Sequence, residues 1–152
     1  MVSIEDDREP QGLIFGMLLP LCLVQSIDDG TWASLAKSSK IEEVFGEAPV
    51  RASFYSLPAM VGMTKWWREE VDEETLQCYC GTSSTNVPSG YISRTRAVMV
   101  AGLGPDLMVA LDYNGSVASP SVVFLGRQNL WRKISENVCD LINALDPERS
   151  EA

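Results

Sequence analysis

The chain has no histidine. That removes the commonest general base, the commonest metal ligand and the side chain whose ordinary pKa lies nearest neutrality. A Ser–His dyad is excluded with it, and no GxSxG elbow is present. There is no GxxxxGK[ST] phosphate loop, and Gly102-Leu103-Gly104 lacks the third glycine of a dinucleotide fingerprint. The densest run of carboxylates reads as solvated, with no apolar pocket to raise a pKa. Asp112 follows a central strand, where a catalytic acid could sit, but it reads as capping the turn at Asn114. These absences predict a chain with no catalytic residue, no cofactor and no metal site.

Basic residues are also scarce. Lys and Arg total 12 against 21 Asp and Glu, a net charge of −9, with −8 of it in residues 1–74 and −1 in residues 75–152. Nucleic-acid binding needs cations to neutralise phosphates, so this balance argues against it. An anionic membrane surface would repel the chain as well. A basic protein would be attracted, while the same charge also serves solubility. The longest apolar run, residues 12–24, is about thirteen residues against roughly twenty for a membrane span, and Pro20 interrupts it. It reads as a buried strand or a strand, turn and helix start. The opening is acidic (Glu5, Asp6, Asp7, Glu9), the wrong sign for a secretory signal.

Four cysteines are present. Cys78 and Cys80 form a Cys-x-Cys, without the paired Cys-x-x-Cys of a zinc ribbon. Cys22 and Cys139 lie in apolar runs and read as small core residues, with metal binding or a disulfide as the alternatives. With no leader in view, a reducing cytoplasm is the expected compartment.

What is present fits one domain spanning residues 1–152, with residues 1–10 and 147–152 as flexible tails. Short helices are expected over 31–37, with Trp32, Leu35 and Ala36 inward, and over 41–45, stopped by Gly46. A strand over 51–55 would turn Val50, Ala52 and Phe54 to one side. Strands follow over 94–101, 107–111, 121–125 and 130–134, with a tight turn at 102–105 between the first two. The 107–111 strand is apolar throughout, as a strand covered on both faces should be. Asn114-Gly115 begins its return. Ser135 then reads as the cap of a final helix with Val138, Leu141, Ile142 and Leu145 as its apolar stripe.

The other long helix is expected over 57–71, capped by Ser56, with Pro58 in the first turn. Leu57, Met60, Val61, Thr64, Trp67 and Val71 share its inner face, and Trp66 lies beside that face. Glu69, Glu70, Asp72, Glu73 and Glu74 then place five acids in six positions at its end. A helix C-terminus favours cations, so helix stability does not account for the run. A solvated surface would, and so would a partner. Trp66 with these five acids is therefore the candidate partner-binding site, and the Ser/Thr/Pro/Gly loop at 81–90 is the best candidate for a mobile segment.

Residues 106–145 carry a family resemblance. Ala110-Leu111-Asp112-Tyr113, Pro120, Val122-Val123-Phe124-Leu125, Trp131, Ile134-Ser135, and Leu141 with Leu145 stand in the order seen in the SUKH superfamily. Phe54-Tyr55-Ser56-Leu57 and the segment GLIFGMLLPL also resemble family segments. The chain departs at its start, where the family has a helix and an Asn-Gly turn. The superfamily includes a yeast cell-wall-synthesis regulator and many bacterial immunity proteins. The resemblance implies an α+β domain, with a mostly antiparallel central sheet backed by helices and no catalytic site. For function it implies a cytoplasmic immunity protein that binds and neutralises a cognate toxin, often a nuclease and basic. A regulatory scaffold of the same fold is the alternative reading, and a small enzyme using Asp112 or a cysteine is the remote one.

Overall fold

The computed structural model describes residues 13–70, 96–104, 107–113, 119–126 and 131–146. The expected tails, the 81–90 loop and Cys78 with Cys80 lie outside them. In chain order the elements are a hairpin, β1 (Leu13–Ile14) and β2 (Met17–Leu18), then α1 (Leu21–Asp28), α2 (Thr31–Ser34) continued by a 3-10 turn (Leu35–Lys37), and α3 (Ile41–Phe45). Next come β3 (Ser53–Phe54), α4 (Leu57–Lys65) running into a wider π turn (Trp66–Glu70), β4 (Ala97–Gly104) and β5 (Leu107–Asp112). β6 (Ser121–Leu125), β7 (Trp131–Ser135) and α5 (Val138–Leu145) complete them. The class is α+β, in a single compact domain.

β3 to β7 form one five-stranded antiparallel sheet in sequence order. Period-two alternation sends its side chains to two cores. Val98, Leu111 and Phe124 meet one face, with α1, α2, α3 and α5. Met99, Met108, Ala110, Val123 and Trp131 meet the other, with Trp67 from the π turn. Burial on both faces explains why β5 reads as a continuous apolar run. A bulge between Met99 and Ala101 breaks the alternation, so Val100 and Ala101 both face the first core.

Several expected boundaries move. β4 runs on through 102–104 where a turn was expected, and β3 keeps only two paired residues, leaving Val50 64% exposed. Val61 is exposed too, while Met60, Thr64 and Trp67 hold the inner face of the α4 segment. α5 is capped by Asn137, whose Oδ1 accepts from the Asp140 amide at 2.8 Å. Ser135, the expected cap, is instead the last residue of β7, and its hydroxyl donates to the Asn137 carbonyl at 2.7 Å.

Cys22 and Cys139 form a disulfide between α1 and α5, with their Cα atoms 5.9 Å apart and 117 residues between them in sequence. This corrects the expectation of two core thiols. Each cysteine lies beside the buried residues of its helix, and the two helices pack on the same sheet face, so their edges meet.

Candidate partner-binding site

The site grows from the way α4 finishes the sheet. β3 pairs with β4 only at Gly102 and Ala101, and the Tyr55 amide adds a bond to the Val100 carbonyl at 3.0 Å. Beyond that point the rim of β4 would leave amides unpaired, which a buried strand does not tolerate. α4 fills the gap. Ser56 Oγ accepts from the Ala59 amide at 3.3 Å and starts the helix, with a proline in its first turn. Two turns later the buried Thr64 Oγ1 accepts from the Met99 amide at 3.0 Å. A hydroxyl on a helix thus replaces the missing strand partner, and it pins α4 to the sheet rim.

The helix then widens into the π turn at Trp66–Glu70. Such turns are single-turn insertions, frequent at functional sites. Trp67 is fully buried in the second core, edge-on to Trp131 with ring centroids 5.9 Å apart. Trp66 packs against the same core but is only half-buried. The Arg68 guanidinium lies 4.7 Å from the Phe15 ring centroid. Phe15 occupies the hairpin turn between β1 and β2 with φ +50°, followed by Gly16 at φ +81°. Two positive φ values are what a tight two-residue hairpin requires, and a phenylalanine adopts one only at some cost. The cation–π contact offsets part of that cost, by about 0.5–1 kcal/mol for an exposed pair.

Glu69 and Glu70 follow at once, and both are exposed. Their carboxylates make no ion pair or hydrogen bond among the described residues. The arrangement presents two solvated acids beside a half-buried tryptophan, on a backbone held by Trp67 on one side and by Arg68 on Phe15 on the other. It offers an aromatic surface and negative charge to a cationic group. Asp72, Glu73 and Glu74, the other members of the expected site, lie outside the described residues.

Nothing in the sequence marks Phe15 and Arg68 as neighbours of this site. Phe-Gly is not a common hairpin turn pair, and the two residues meet only through the fold. Asp112 is half-buried at the end of β5, opposite Ala97 and Ser121. Among the described residues no group of three or more His, Cys, Asp or Glu could hold a metal ion. No helix among them is long and apolar enough to cross a membrane.

No family model, no curated protein and no solved structure matches the chain. The fold and the site therefore define it as an α+β domain with an acidic, aromatic-flanked helix exit.

Proposed function

We propose that the protein is a non-catalytic binding module, an immunity protein that neutralises a cognate basic toxin through the acidic exit of α4. The observation that carries this reading is the pair of exposed carboxylates, Glu69 and Glu70, on a π turn anchored beside half-buried Trp66. Interfaces draw their affinity from a few partly buried aromatic anchors, and complementary charge speeds encounter. The net charge of −9 favours a cationic partner over nucleic acid or membrane. Resemblance of residues 106–145 to the SUKH superfamily supports the same reading, and a nuclease is the toxin class that the charge suits best. Asp72, Glu73 and Glu74 continue the acidic run in sequence.

A cytoplasmic site of action goes with an inhibitor of this kind. It also makes the redox state of the Cys22–Cys139 pair a variable, because cytosolic thiols are kept reduced. The test is capture. The full chain, isolated from its own cells at low salt, should bring down a stoichiometric basic protein whose toxicity it suppresses. Isolation with no stoichiometric partner, at any salt, would count against the reading.

A further inference from the structure

We propose that the Cys22–Cys139 disulfide is a redox-operated clasp that sets how firmly the N-terminal layer, residues 13–28, is held to the domain. Three observations point this way. The bond joins α1 to α5, two outer helices 117 residues apart in sequence, with a Cα separation of 5.9 Å, a spacing that the bond accommodates without backbone movement. Both cysteines are half-buried and not sealed in the core, so a small thiol can approach. The layer it holds packs by one side only. Leu23 and Val24 are buried, while Leu18 and Leu21 are 58% and 69% exposed.

Closing the clasp is thiol–disulfide exchange. A Cys22 or Cys139 thiolate attacks an oxidised small-molecule disulfide and expels one thiol. The second cysteine then attacks the mixed disulfide and expels the other. Two protons and two electrons leave the pair and appear on the two released thiols. A dithiol reductant runs the same steps backwards.

The clasp also bears on the acidic exit, and in that respect it rests on the binding reading. α1 follows β2 with two residues between, and the hairpin carries Phe15 beneath Arg68, next to Glu69. Loosening α1 therefore loosens the Arg68–Phe15 contact beside the π turn.

The test uses the full chain alone, so it fails separately from the partner assay. The chain is incubated with oxidised glutathione, alkylated without reduction and digested. A cross-linked peptide pair containing Cys22 and Cys139 is expected, and dithiothreitol should abolish it. Reduction should lower the folded-to-unfolded ratio by on the order of 10²- to 10³-fold in denaturant melts. Cys22→Ser and Cys139→Ser should match the reduced chain and ignore dithiothreitol, while the double variant Cys78→Ser, Cys80→Ser should keep the full response. In hydrogen exchange of the reduced, still folded chain, amides in 13–28 should lose at least tenfold more protection than those of β5 and β6. Alkylation of both Cys22 and Cys139 after oxidation, or their pairing with Cys78 or Cys80, would overturn the clasp. So would an equal loss of protection across the whole domain, which would mark a uniform staple.

Discussion

Tyr113 ties the hairpin to the sheet, and replacing it with phenylalanine should weaken the protein at neutral pH but not at pH 11. The residue follows β5 and is 1% exposed, and its hydroxyl donates to the Leu18 carbonyl at 2.8 Å. Phenylalanine keeps the ring and loses that bond, a cost of about 1 kcal/mol at pH 7. Burial pushes the phenol's ionisation well above its ordinary value of 10.0. Below about pH 10 both the folded and the unfolded chain keep this proton, and its contribution is fully present. Above that pH the unfolded chain releases the proton while the folded chain holds it. Stability then falls by about 1.4 kcal/mol per pH unit until the folded phenol also ionises. At pH 11 the intact protein should therefore have lost about 1.4 kcal/mol through Tyr113, a loss that the variant does not share. The roughly 1 kcal/mol deficit of Tyr113→Phe should vanish or change sign between pH 7 and pH 11. Urea melts of both proteins across that range measure it, and every other titrating group cancels in the difference. A gap that stays constant from pH 7 to pH 11 would mean that the Tyr113 phenol ionises alike in the folded and the unfolded chain.

Two further substitutions test how the sheet rim and the last helix are held. Thr64→Val removes the acceptor of the buried Met99 amide and should cost about 1–3 kcal/mol in a denaturant melt, with Thr64→Ser recovering most of it. Asn137→Ala should cost about 1 kcal/mol by removing the cap of α5, measured in the same way, and more than any effect of Ser135→Ala on the helix start.

The C-terminal half of the sheet was legible because its strands have unambiguous signals. β5 and β6 are short β-branched or aliphatic runs with turn residues at their ends, and α5 has a full apolar stripe. What was not legible depends on the third dimension. Thr64 looked like one more residue on an inner helical face, because nothing local announces that its hydroxyl replaces a strand. Ser135 and Asn137 are both good caps, and only the length of β7 decides between them. Cys22 and Cys139 carry no pairing signal across 117 residues. The exposure of Glu69 and Glu70 beside a half-buried Trp66 could be read from charge and helical spacing. The Arg68–Phe15 contact beside them could not be read.

The proposed docking of a basic partner on the acidic exit of α4 is tested by affinity against salt. The basic protein captured by the full chain is titrated with the intact chain and with a variant carrying Glu69→Gln, Glu70→Gln, Asp72→Asn, Glu73→Gln and Glu74→Gln, at low and high ionic strength. The variant should associate on the order of tenfold more slowly at low salt, and its affinity should depend less on salt. Equal affinity and equal salt dependence for the two chains would remove this surface from the interface.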